Sequence, residues 1–224
     1  MRFTAEHRGA EHRGAERHHV RGRRRGAALV EAIHRAVLEE LAEHGYAELT
    51  MESVATRARA GKTSIYRRWQ TKRDLVLDVL FAASPSMVAD ATGVCDFTTI
   101  PPDLDLKGSL AAIGRKFADY VHSSAEAIRA VGCEASRDPE LARLLNEKLH
   151  QRWHIAIVEI LQAGRLRGEI ATDVDLELIA DILPALVTYR TFVQTREVND
   201  AEIIELVTTI LLPLTKPQLT TSLN

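Results

Sequence analysis

The sequence predicts an all-α protein of about nine helices, on three observations. Apolar residues recur at spacings of three and four, helix-capping residue types stand at the ends of those periodic runs, and no stretch reads as a credible strand. Composition agrees. Of 224 residues 46% are hydrophobic and only 5% aromatic, with 12 Gly and 7 Pro, a mixture that suits helices better than sheets. A chain of this length has room for a small domain joined to a medium one.

Residues 6–15 read EHRGA twice in tandem, followed by Arg17, Arg21, Arg23, Arg24 and Arg25. A glycine-spaced basic repeat predicts a disordered arm over 1–26, with His7, His12, His18 and His19 solvated rather than bound to metal. From Ala27 onward Val30, Ile33, Val37 and Leu41 share one helical face, and Gly45 is placed as a left-handed cap. Thr50 is positioned to N-cap a short helix whose inner face is Met51, Val54, Ala55 and Ala58. Gly61 interrupts, a third helix runs from Lys62 to Arg68, and Thr71 with Asp74 opens a fourth that buries Leu75, Val76, Val79 and Leu80.

A loop with Gly93, Pro101, Pro102, Asp103 and Asp105 then separates head from body. In the body, helices are expected from Lys107 to Ser123, from Ala125 to Arg137, and from Pro139 to Arg167 with Asp138 as N-cap. Asp175 caps the next, to Gln194, and Asn199 with Glu202 caps the last, ending near Leu214.

Charge is divided along the chain. The formal net charge is −2, but residues 1–74 hold 16 Lys/Arg against 10 Asp/Glu while the remainder is acidic. A basic head on an acidic body suits a protein that presents one end to a polyanion. Cys95 and Cys133 are too few for a disulfide framework or a four-ligand zinc site, so a reducing cytoplasm is expected. The greasiest stretches, 179–187 and 203–214, are interrupted by Pro184 or by Glu205, Thr208 and Thr209, which argues against a membrane span.

The segment from Thr50 to Asp74 carries the functional signal. Two short helices cannot bury a core alone, so Ile33, Leu41, Val54 and Ile65 are expected to pack together and turn Lys62, Thr63, Tyr66 and Arg67 outward. Such a face suits phosphates and base edges in a major groove. Gly61-Lys62-Thr63 mimics the end of a phosphate-binding loop, but Thr56 stands where the first glycine is required and no strand precedes it.

The string ARAGKTSIYRRWQTKRDLV, Ala58 to Val76, resembles the helix-turn-helix signature of TetR-family regulators, and RGEIATDVDLELIADILPALVTYR, Arg167 to Arg190, resembles the C-terminal domain of one large TetR subgroup. The resemblance implies a three-helix DNA-binding domain over 27–74, a helical effector-binding and dimerisation domain over 75–215 and a flexible tail over 216–224. It implies phosphate contacts from Tyr66, Thr50 and Lys72, base-edge contacts from Lys62 and Thr63, and further contacts from Ser64 and Arg67. Arg24 and Arg25 in the arm would add phosphate or minor-groove contacts. The family usually has glycine where Arg59 stands, a departure expected to reshape the turn and add a backbone contact. Trp69 is read as packing.

The resemblance also implies a homodimer on a near-palindromic operator, released by a small-molecule effector. Helices greasy on more than one face are buried from both sides; the resemblance implies that they pair with a second copy through Ile182, Leu183, Leu186, Ile203, Val207 and Ile210, a fully intrachain core being the alternative, with Pro184 kinking the surface. Phe117, Tyr120, His150, Trp153, His154, Tyr189 and Phe192 are the candidate pocket residues. His150 and His154 stand at i and i+4, yet no third ligand is evident, so no metal and no cofactor are expected. An enzyme built on His150, His154 or Cys133 lacks a nucleophile, base and orienting carboxylate at supportive spacings.

Overall fold

Helix follows helix along the whole described chain. The computed structural model describes residues 7–83 and 104–216, with side chains from Gly26 onward. Among these residues there are nine continuous helical segments and no strand. They are α1 (His7–Glu48), α2 (Met51–Arg57), α3 (Lys62–Tyr66), α4 (Lys72–Ala83), α5 (Leu106–Ser123), α6 (Ala125–Ala135), α7 (139–166), α8 (Leu176–Phe192) and α9 (200–214). The chain divides into two compact units, Met1–Leu75 and Val76–Asn224.

In the first unit the backbone of α1 is helical from His7, where the sequence predicts a disordered arm. Ala, Arg and Glu are strong helix formers and no proline interrupts the tract, so local propensity outweighs its spaced glycines. The helix is broken in direction at Gly45, whose φ of 76° and ψ of 177° place it in a region open essentially to glycine alone. It is therefore a glycine-only corner rather than a left-handed cap. On either side of it, Ile33, Val37 and Leu41 of α1, Val54 of α2 and Ile65 of α3 are all buried, making the small core expected of them. Trp69 is buried too, its ring 5.9 Å from that of His34.

In the second unit α5 lies against α7, α8 and α9. They pack tightly at Gly114, where an added Cβ would stand 2.8 Å from Ile203 Cγ2 and 3.1 Å from Leu183 Cδ2. Asp105 caps α5 by accepting from the Gly108 amide, and Asp138, Asp175 and Asn199 cap α7, α8 and α9 as the sequence predicts. Both α7 and α9 contain one π turn, Asn146–His150 and Val207–Leu211, a widening that hydrophobic periodicity does not reveal. Proline 184 lies inside α8.

The Arg167-Gly168-Glu169 turn has a clear physical purpose. Gly168, at φ 78°, ends α7 in a Schellman motif: the Glu169 amide donates to the Gly164 carbonyl and the Gly168 amide to that of Arg165. The Glu169 carboxylate then accepts from the Leu106 amide at 2.8 Å, satisfying an orphan donor at the start of α5.

Leu183, Ile203 and Val207 are buried inside the protomer at 0–1% exposure, which removes them from the surface offered to a second copy. They belong to the intrachain core because they face α5, and only the opposite side of α8 and α9 stays outward.

Candidate nucleic-acid interface

Two capping boxes fix the starts of α2 and α4. The Thr50 hydroxyl accepts from the Ser53 amide at 3.0 Å while Ser53 Oγ accepts from the Thr50 amide, fixing the start of α2. Thr71 and Asp74 do the same for α4, at 3.0 and 3.1 Å. At the end of α2 the Arg59 amide donates to the Thr56 carbonyl and the Ala60 amide to that of Ala55, again a Schellman pair. Arg59 occupies its left-handed position at φ 51°. The turn keeps the shape that a glycine would give it, with an arginine carrying the strain.

Arg57 locks α2 onto α1. Its guanidinium reaches Glu40 at 2.6 Å and both carboxylate oxygens of Glu43, at 2.8 and 2.5 Å. The bidentate geometry holds Glu43 below the usual carboxylate range and raises the Arg57 pKa. This clamp leaves α3 facing outward from the core through Ile65. Lys62, Thr63, Tyr66 and Arg67 are exposed, with Ser64 half-buried. The side chains of Arg24 and Arg25 lie outside the described ones.

Lys72 is used differently from the phosphate anchor suggested by sequence. Its ammonium donates to the carbonyls of Tyr46 and Ala47 at 2.8 and 3.2 Å and sits 4.5 Å above the Tyr46 ring. These carbonyls belong to the last turn of α1, where intrahelical partners run out, so Lys72 ties the end of α1 to the start of α4 and keeps at most one N–H for another acceptor.

Glu52 is a residue that sequence reasoning missed. One oxygen of its carboxylate lies 3.4 Å from Lys62 Nζ and 3.4 Å from Tyr66 Oη, so two of the outward candidates share one acceptor. Its own amide, then Lys62 and Tyr66, keep Glu52 below the usual carboxylate range. The available signal was its place in the first turn of α2, two residues after the Thr50 cap.

The seven pocket candidates do not converge on one place. Phe117, Tyr120 and Trp153 do meet: the Phe117 and Trp153 rings are edge to face at 5.0 Å, and Tyr120 stacks on Trp153 at 5.8 Å. The Tyr120 hydroxyl and the nearby-in-sequence Ser124 hydroxyl are buried with no partner among the described residues, and burial raises the Tyr120 pKa. His154 turns instead toward α8, with Nδ1 2.9 Å from Asp181 and Nε2 2.7 Å from Glu177. His150 and Tyr189 are exposed, and Phe192 lies under the Arg129 guanidinium at 5.7 Å. No group of side chains suited to hold a metal ion occurs among the described residues, and no helix there is long and apolar enough to cross a membrane.

The geometry just described is that of a DNA-binding helix-turn-helix unit followed by a helical body. Residues 33–79 match the family described as bacterial regulatory proteins, tetR family, and residues 100–210 match the tetracyclin repressor-like C-terminal domain. An HTH-type transcriptional regulator of Mycobacterium tuberculosis is 32% identical over 176 residues, covering 79% of this chain and 82% of the relative. The DNA-binding transcriptional repressor TetR of Mycobacteroides abscessus is 31% identical over 198 residues, covering 88% and 97%. Among solved structures, the TetR family transcription regulator SCO0332 superposes with a TM-score of 0.60 at 28% identity, over 84% of this chain and 99% of that one. The regulator FadR of Bacillus subtilis, solved with stearoyl-CoA, shares the fold at a TM-score of 0.63 and 19% identity, over 83% and 97%.

This chain belongs to the TetR family of DNA-binding transcriptional regulators. It is a regulator and not an enzyme.

Proposed function

We propose that this regulator is a cytoplasmic homodimeric repressor that leaves a near-palindromic operator when a small molecule enters its body. The observation that carries the reading is the exposed row Lys62, Thr63, Tyr66 and Arg67 on a helix whose opposite side, Ile65, is wholly buried. In this reading Lys62 and Thr63 read base edges, while Tyr66, Arg67, Ser64, Thr50 and Arg59 hold the backbone, joined by Arg24 and Arg25. Lys72 positions the elements and gives its remaining N–H to phosphate. One short helix reads only a few base pairs, so two heads about 34 Å apart are needed for an operator of useful specificity.

Dimerisation is supported by the outer side of α8. Leu178 and Tyr189 are 63% and 50% exposed, and half-buried Ile182 and Leu186 lie between them at helical spacing. Ile204, 40% exposed, and half-buried Ile210 continue apolar surface on α9. Large exposed apolar residues in such a stripe are typical of an interface. The effector reading is supported by the aromatic group of Phe117, Tyr120 and Trp153 beside a buried, unpartnered hydroxyl, because buried polar groups normally find a partner.

A gel-shift titration against a duplex selected by the wild-type chain from a randomised pool tests the proposal. Arg67→Ala and Tyr66→Phe are each expected to weaken binding, on the order of 1 kcal/mol or more, and wild-type affinity should fall steeply with salt. Unchanged affinity in both variants would overturn the assignment of this face.

A further inference from the structure

The strongest unexplained feature of the DNA-facing surface is an acid. Glu52 puts a carboxylate on the face that meets a polyanion, between Lys62 and Tyr66 and 3.4 Å from each. Its side chain is 50% exposed and that of Lys62 is 62% exposed. Glu52 suits the first turn of α2, where a negative charge is favourable, but that role needs no contact with Lys62 or Tyr66, and an ion pair so open to water contributes little to folding. The same carboxylate lowers attraction to phosphate: it adds a negative charge and occupies one of the cations that would neutralise the backbone.

Resting on the assignment of Lys62 and Tyr66 to DNA, we infer that Glu52 is a specificity-determining residue, which holds both side chains in register and withholds Lys62 from any duplex lacking the right acceptor. On the matching sequence Lys62 exchanges the Glu52 oxygen for a base-edge acceptor such as guanine O6 or N7, and Tyr66 turns its hydroxyl to a phosphate. The carboxylate so released can accept from a cytosine N4 amino group in the same groove. On any other sequence Lys62 keeps its partner in the protein. There the ammonium neutralises no phosphate, and the counterion release that an unpaired lysine would bring is not gained. Glu52 thus subtracts from non-specific affinity more than from specific affinity, and the ratio between the two is what a regulator needs amid many competing sites.

Arg67 and Thr63 sit on the same exposed face, and no hydrogen bond or ion pair joins either to Glu52. The effect is therefore confined to Lys62 and Tyr66.

The test is fluorescence anisotropy on the full chain, with the selected duplex and a scrambled duplex of equal length, at several salt concentrations. Glu52→Gln keeps the size and removes the charge. Binding to the scrambled duplex is expected to tighten about fivefold, with a salt slope steeper by roughly one counterion, while binding to the selected duplex tightens less or weakens. Glu52→Asp, which keeps the charge but shortens the reach to Lys62 and Tyr66, is expected to lose discrimination without the full gain in non-specific affinity. Parallel tightening on both duplexes by Glu52→Gln would reduce Glu52 to a bystander charge and overturn the proposal, as would an unchanged pair of affinities. Failure of the wild type to prefer any duplex would instead strike the assignment of the face itself.

Discussion

Replacing Gly114 by alanine sets two known effects against each other. Alanine is favoured over glycine in a helix by about 0.8–1 kcal/mol. Against this, the new methyl would lie 2.8 Å from Ile203 Cγ2 and 3.1 Å from Leu183 Cδ2, where carbon atoms rest at about 3.5–4.0 Å. Ile203 is wholly buried and β-branched, so it cannot swing aside. Crowding of this kind costs about 1–3 kcal/mol, and the net result is expected to be a loss of up to about 2 kcal/mol.

Gly132 supplies the control. It is an exposed position in α6 where an added Cβ meets nothing within 4 Å, so Gly132→Ala is expected to stabilise by up to about 1 kcal/mol. Urea unfolding followed by helical circular dichroism, at one protein concentration throughout, measures both. Adding Ile203→Leu, which removes the offending Cγ2 branch, should recover part of the Gly114→Ala loss, a coupling on the order of 1 kcal/mol. Should Gly114→Ala equal or exceed Gly132→Ala in stability, the close approach of α5 to α8 and α9 would be refuted.

Arg59→Gly is expected to stabilise the protein by about 1 kcal/mol because the position has φ 51°, and to weaken DNA binding slightly if Arg59 contacts the backbone; thermal melting and a gel shift read the two separately. Gly45→Ala should destabilise by about 1–3 kcal/mol, since its φ and ψ suit glycine alone, again read by urea unfolding. For His154, hydrogen bonds that its protonated ring donates to Glu177 and then to Asp181 raise the pKa, so its stabilising contribution is complete below the ordinary histidine value and is lost as pH rises through the raised one. The melting advantage of wild type over His154→Gln should accordingly be larger near about pH 6 than near about pH 8.5, and an advantage that grows with pH would contradict the assignment. Leu178→Glu with Tyr189→Glu should shift the sedimentation of the protein toward monomer while leaving its circular dichroism intact.

Local features were legible in the sequence because their causes are local. Thr50, Thr71, Asp138, Asp175 and Asn199 each satisfy amides within three residues, and the buried faces of α1 to α3 follow from spacing alone. What escaped depends on contacts across the fold. Nothing in the local pattern tells that Lys72 turns back 26 residues to the Tyr46 carbonyl, or that Glu169 caps a helix beginning 63 residues earlier. Aromatic size points to a pocket but not to direction, so it groups Tyr189 with Trp153 although one is exposed and the other buried. A helix greasy on several faces is likewise silent on which face another part of the same chain covers, and Leu183, Ile203 and Val207 are covered by α5.

The head shows how partners, rather than residue types, divide structure from recognition. Arg57 and Arg67 are chemically identical, as are Lys72 and Lys62. Arg57 is committed to Glu40 and Glu43, and Lys72 to two carbonyls, so neither is free to follow a ligand. Those commitments fix α2, the end of α1 and the start of α4, which lowers the ordering that binding would otherwise require. Lys62 and Arg67 remain on the surface of a helix too short to hold itself. Charge counted along the sequence therefore overstates the cations available to DNA, since Arg57 and Lys72 serve to make the outward ones stand still.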